Sequence, residues 1–192
     1  MASTLSVSKI QGLATAASPT TVEIASGHKI SGNITHGTGS VFPAGMVIQT
    51  VSTFSETSFS TSSGTFVQLG VTLAITPQFA TSKIYVQSYF SARHTGGDYA
   101  FAVGLGRGTA NNNLALQRKF TRHASYRSGS DNISQSQMTV AMIDSPNTTS
   151  ERHYGLMFHI HPSQGGSVSL VPNTGNADGN DSFFIMCQEI AQ

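Results

Sequence analysis

From Met46 onward the chain alternates: apolar and polar positions exchange every second residue over short runs, and turn-forming residues separate the runs. A period of two marks strands that bury one face. Segment 46–53 sets Val47, Gln49 and Val51 against Ile48, Thr50 and Ser52. Segments 65–69 and 71–76 follow, and Pro77 stops the second because it has no N–H for a ladder. Segment 83–90 puts Ile84, Val86, Ser88 and Phe90 on one face and Tyr85, Gln87 and Tyr89 on the other. Residues 94–98 read as a turn. After it, Tyr99, Phe101, Val103 and Leu105 share a face opposite Ala100, Ala102, Gly104 and Gly106. Further strands are predicted over 114–120, 137–143, 153–161, 167–171 and 181–190, with 121–134 as a polar interval. Helical periodicity is almost absent. Short strands at regular spacing, with polar turns and no fixed repeat, predict an all-β protein whose head is a jelly-roll-like sandwich.

Residues 1–45 have a different texture. Their apolar residues stand singly, as in Leu5, Val7, Ile10, Val22 and Ile24, with Ser, Thr, Gly and Ala between them, and Phe42 is the one aromatic. Such a stretch is too thin for a core of its own. It predicts an extended arm, 1–45, that pairs with copies of itself or with a neighbouring protein, ahead of a head domain at 46–192.

Composition narrows the classes. Charged residues are 10% of the chain and the net charge is +1, which argues against a general nucleic-acid binder. Ser and Thr make up 48 of 192 residues, so hydroxyls rather than charges solubilise the surface. One cysteine, Cys187, excludes a disulfide scaffold, and its alternation with Phe183 and Ile185 predicts an inert core thiol. No long apolar run predicts a membrane span. The first residues, MASTLSVSKIQG, lack the basic and apolar regions of a secretion signal. Release within an assembled virus is one route that needs none.

The stretch 66–86, FVQLGVTLAITPQFATSKIYV, resembles tail-fibre-like virion proteins of marine phages, particularly those infecting cyanobacteria. The beginning MASTLSVSKIQG, the segment TTVEIASGHKISG and the end FFIMCQEIAQ are similar to the corresponding parts of such proteins. The resemblance implies a trimeric virion appendage with a β-rich C-terminal head. It brings no catalytic residue with it. From the residues alone, 75–77 ends a strand, 80–82 turns, and 83–86 begins the next strand.

Three groups of residues carry candidate chemistry. Arg118, Lys119, Arg122 and Arg127, with Tyr126, bring four permanent positive charges together without an intervening carboxylate. They would suit host-surface polysaccharide or lipopolysaccharide by fork hydrogen bonding and stacking. The plainer alternative is pairing with Asp131, Asp144 or Glu151. His159 and His161 form an H-x-H pair whose side chains stand roughly 7 Å apart at the rise of a strand. In a trimer, three pairs would offer six nitrogens to one transition metal on the axis, which suits iron or nickel better than zinc. The alternative is a half-exposed face of hydrogen-bonded histidines. The loops 111–113, 128–132 and 173–181 carry amides and carboxylates that suit carbohydrate, and Asp178, Asn180 and Asp181 could hold calcium, though without EF-hand spacing. The glycines of 104–108 predict a bulge or tight turn, because no helix pattern follows them for a phosphate loop.

The function expected from these readings is a homotrimeric tail-fibre subunit of a virion that adheres to the host surface and is not an enzyme. Its partners would be its own copies, another virion protein held by residues 1–45, and a host glycan, with no nucleic acid and no required cofactor. The alternatives are a capsid decoration or head fibre without an essential receptor, and a polysaccharide-degrading fibre enzyme.

Overall fold

The structure, a computed structural model, describes residues 42–95, 99–125, 133–161, 166–170 and 183–192. The strands are β1 (Val47–Ser55), β2 (Phe59–Thr61), β3 (Val67–Gln68), β4 (Leu73–Ile75), β5 (Lys83–Thr95) and β6 (Tyr99–Gly108). They continue with β7 (Leu114–Ser125), β8 (Ile133–Asp144), β9 (Arg152–Ile160), β10 (Ser167–Leu170) and β11 (Phe183–Ile190). The arm expected at 1–45 lies outside the described residues except for its last four. Of those, Phe42 packs edge-on against Phe79 at 5.7 Å, and the Gly45 N–H donates to the Ala191 carbonyl at 2.9 Å.

The strands form two antiparallel sheets. In the first, β1, β11, β5 and β8 are neighbours, and β10 and β2 extend it beside the C-terminal part of β5. In the second, β3 and β4 flank β9, which pairs with β6, which pairs with β7. Counting β3 and β4 as one interrupted strand and leaving aside β2 and β10, the pairing is nested. The first strand pairs with the last, the second with the last but one, the third with the last but two, and the middle two with each other. That is one long hairpin rolled into a two-sheet jelly roll, as the strand pattern predicts.

The core lies between the sheets. Ile84, Val86, Ser88 and Phe90 are all fully buried on the inner face of β5, as their alternation predicts. Phe101, Val103 and Leu105 of β6 face Tyr154, Leu156, Phe158 and Ile160 of β9, and none of these seven exceeds 2% exposure. Phe158 sits at the centre, with the Phe90 ring edge-on at 5.5 Å and the Phe101 ring at 6.2 Å. Between β3 and β4 the chain turns at Gly70, whose φ is 89°. A Cβ there would also lie 2.7 Å from the Leu170 side chain, so only glycine meets both demands.

A buried carboxylate holds the connection from β4 to β5. Glu189 is fully buried on the inner face of β11. It accepts the backbone N–H groups of Gln78 and Phe79 at 2.8 and 3.1 Å and the side-chain amide of Gln49. These donors replace the water the carboxylate has lost.

Several strands outrun their apolar patterns. β5 continues through His94 to Thr95, where a turn is expected, and His94 is fully buried. β7 extends to Ser125, and β8 begins at Ile133, inside the expected polar interval. The reason is backbone pairing: β5 and β8 match residue for residue from Ile84–Asp144 to Thr95–Ile133, so the ladder continues after the apolar pattern fades. β2 was not predicted; Phe59 is its single large apolar residue, and pairing with β10 makes it a strand.

Candidate functional site

The basic residues begin on β7, the outermost strand of the second sheet. Arg118 and Lys119 are exposed. Their strand does not run straight: register shifts fall between Ala102 and Gly104 and between Leu105 and Gly106 of its partner β6. Arg118 therefore pairs opposite Leu105, a core-facing position. Lys119 pairs opposite Gly104, on the outward register, and the backbone of Arg122 pairs with Ala102. Sequence neighbours are thus divided between two faces. Tyr126 and Arg127 lie outside the described residues.

Arg118 borders a cleft of about 360 Å³ lined by Tyr85, Ala141, Met142 and Ile143, where the free edges of β7 and β8 meet. The Lys119 ammonium lies 5.9 Å from the centre of the Phe66 ring. Two of the carboxylates expected to neutralise this cluster are engaged elsewhere. Asp144 takes both oxygens to Arg107 Nη1, at 2.9 and 2.8 Å. Glu151 meets His153 Nε2 at 3.0 Å. Neither Arg118 nor Lys119 forms an ion pair with a described residue. Asp131 lies outside the described residues.

Asp144 also accepts the Tyr154 hydroxyl at 2.7 Å. The three residues come from β6, β8 and β9, so one polar clasp joins both sheets. Burial raises the Tyr154 phenol far above its ordinary pKa, and the bond to the Asp144 carboxylate raises it further. In the sequence Asp144 stands out only as a possible partner for the basic run. Its position at a strand end, beside Ile143, is a weak signal that it could close the sandwich edge.

The H-x-H pair sits at the end of β9 on the outer face of the second sheet. His159 is half-buried, edge-on to the Phe66 ring at 4.5 Å, and its Nδ1 donates to the Ile160 carbonyl at 3.0 Å. Only Nε2 of that ring is then left for a metal. His161 is also half-buried. Among the described residues no three His, Cys, Asp or Glu side chains are grouped to hold a metal ion. The described residues of one chain therefore do not build a complete donor set here.

The amide loop at 111–113 borders a shallow cavity of about 580 Å³, together with Thr109, Ala110, Glu151 and His153. Asn111 accepts a hydrogen bond from the Thr72 hydroxyl at 3.3 Å. The loop 173–181 and its calcium candidates, and 128–132, lie outside the described residues. Cys187 is fully buried, and burial pushes its thiol up to about 12. That agrees with the expected inert core thiol.

No family model matches the chain, and no curated protein sequence matches it significantly. Its fold is similar to solved structures of infectious bursal disease virus. The Gx strain structure is 8% identical with a TM-score of 0.38, covering 84% of this chain and 45% of that chain. The Gt strain structure is 10% identical with a TM-score of 0.34, covering 84% and 41%. The VP2 subviral particle is 11% identical with a TM-score of 0.33, covering 76% and 39%. The chain spans less than half the length of each of these structures.

Proposed function

We propose that this chain is a virion structural protein, a homotrimeric tail-fibre subunit whose head adheres to host-surface polysaccharide or lipopolysaccharide. The observation that carries the reading is the pair of exposed cations, Arg118 and Lys119, without anionic partners among the described residues, on the open outermost strand of the second sheet. A guanidinium fork can bind a phosphate or carboxylate of a glycan by two parallel hydrogen bonds. Arg122 adds to the same strand, and Tyr126 and Arg127 follow it in sequence. The head acts by binding alone. Residues 1–45 hold it to another virion protein, and three copies turn weak single contacts into firm adhesion through avidity.

Titration of purified protein against polysaccharide extracted from host cells tests this directly. Charge reversal at both Arg118→Glu and Lys119→Glu is expected to weaken binding at least tenfold and to flatten its salt dependence. Binding unchanged by the double reversal would remove the assigned contacts. Virions that adsorb normally when the protein is blocked by antibody would remove adhesion as its role.

A further inference from the structure

The outer face of the first sheet is left open in a way the second is not. Reading across β1, β11, β5 and β8, one register row holds Phe54, Phe184 and Tyr89, the next Met186, and the third Tyr85 and Ile143. The remaining positions of these three rows are Ser, Thr, Gln or Ala, and none is charged. Phe54 is 69% exposed and Ile143 64%. Of the six large apolar residues exposed among the described residues, Val47, Phe54, Tyr89 and Ile143 lie on this one face.

The borders of the face point the same way. A free strand edge is ordinarily defended by charge, proline or a bulge. On the second sheet, β7 has such defences: Arg118, Lys119 and two register shifts. On the first sheet, β8 is uncharged from Ile133 to Ile143, contains no proline and runs against β5 without a register shift. The opposite edge, β1, is uncharged as well, and its one irregularity is confined to Val47–Gln49. Alternation through the antiparallel sheet makes β1 and β8 antiparallel to each other. The β8 edge of one copy therefore has the strand direction needed to meet the β1 edge of the next.

We infer that this face is the contact between copies of the chain, with three first sheets enclosing a three-fold axis as a triangular prism. The inference rests on the homotrimer of the proposed function and specifies the surface that forms it. The occupant is a second copy rather than a different protein because each copy carries both complementary, uncharged edges; the charges of this face, Lys83 in the row of Val47 and Ile190 and Arg93 beside Ser169, stand outside the three rows. The width agrees. Four strands spaced about 4.8 Å apart make a side of roughly 19 Å, and the centre of a triangle with that side lies about 5.5 Å from each wall, close to half the ~10 Å spacing of packed sheets. The aromatic row would fill the interior without leaving a channel. A head-to-tail contact of this kind closes into a ring when the rotation fits. The second sheet, with Lys119 and His159 on its outer face, then points away from the axis, towards the host.

Sedimentation equilibrium of the full chain at micromolar concentration tests the inference. The unaltered protein is expected at three times the 20.2 kDa of one chain. Ile143→Asp and Phe54→Asp are expected to sediment as monomers, with self-association at least a hundredfold weaker and with cooperative thermal unfolding retained. Gln117→Asp, on the exposed part of β7, stays trimeric. Thr139→Lys, a small exposed position in the aromatic row, gives the same readout if an apolar replacement fails to fold. Variants that remain trimers would overturn the assigned face and leave the trimer standing. An unaltered chain that sediments as one copy or two would overturn the trimer itself.

Discussion

The two sheets cover the same core but finish their outer faces differently. On the second sheet, glycines leave a hollow and neighbouring side chains fill it. A Cβ at Gly104 would come within 2.3 Å of Leu116, one at Gly106 within 2.5 Å of Met157, and one at Gly155 within 2.9 Å of Leu114. Phe66, His159 and Lys119 cap the same side. On the first sheet, the register rows carry no glycine, and Phe54 and Ile143 stand out into solvent. One sheet thus closes its outer face with its own side chains, while the other presents large apolar groups that stay exposed among the described residues. The difference shows that an exposed aromatic carries information only when set against a face of the same fold that is covered.

Overpacking the covered face should have the largest effect. Gly104→Val places a side chain against Leu116 and only 2.7 Å from the Arg118 carbonyl oxygen. It is expected to lower stability by about 2–3 kcal/mol in chemical denaturation. A similar insertion on the open face, two carbons rather than three in Ala141→Val, should change stability by less than about 0.5 kcal/mol. Equal losses at the two positions would abolish the contrast.

The clasp between the sheets comes next. Tyr154→Phe removes the bond to Asp144 and is expected to destabilise the chain by about 1.5–2 kcal/mol near neutral pH. Its pH dependence has a definite sign. The folded Tyr154 phenol is raised above its unfolded value near 10, so the stability it contributes is full below pH 10 and declines as pH rises above it. The unaltered protein should therefore weaken steeply in alkali, and Tyr154→Phe should weaken less steeply. The slope that remains belongs to Cys187, raised from 9.0 to about 12, and extends through that interval. Denaturation midpoints measured from pH 8 to 11 separate the two contributions.

A smaller effect is expected at Phe66→Ala. It removes the ring that meets His159 edge-on and lies beneath the Lys119 ammonium. The predicted loss is about 1–1.5 kcal/mol, with the contact between copies unchanged. Smallest of all is the response of Cys187 to a thiol reagent: no labelling in the folded chain and complete labelling in denaturant, because its sulfur is sealed in the core.

Much of the fold was legible because burial on one face forces alternation. The inner faces of β5, β6 and β9 could be named from sequence, and Ile84–Phe90 and Tyr154–Ile160 are buried as that pattern requires. Met157 and His153 show the limit of the rule. They alternate onto the other face of β9 yet are 4% and 9% exposed, because side chains fold over the glycines beside them. The candidate site was less legible. The basic run was visible as composition, but the register shifts that flank Arg118 and Lys119, and so set which residues of β6 they face, leave no mark in the residues themselves. The engagement of Asp144 with Arg107 and Tyr154 spans distances of 37 and 10 residues, which spacing alone cannot show.

What the sequence determined by itself is local: an all-β chain of short strands, the inward face of each long strand, the break at Pro77, and a surface of hydroxyls with little charge. These follow from side-chain size, polarity and backbone restriction, which act within a few residues. The tertiary structure decided the rest: the nested pairing, the extension of β5 and β8 beyond their apolar residues, the buried anchor at Glu189, and the contrast between a closed outer face and an open one. Each depends on which distant strand lies alongside, and that is settled by backbone hydrogen bonding and packing across the whole fold.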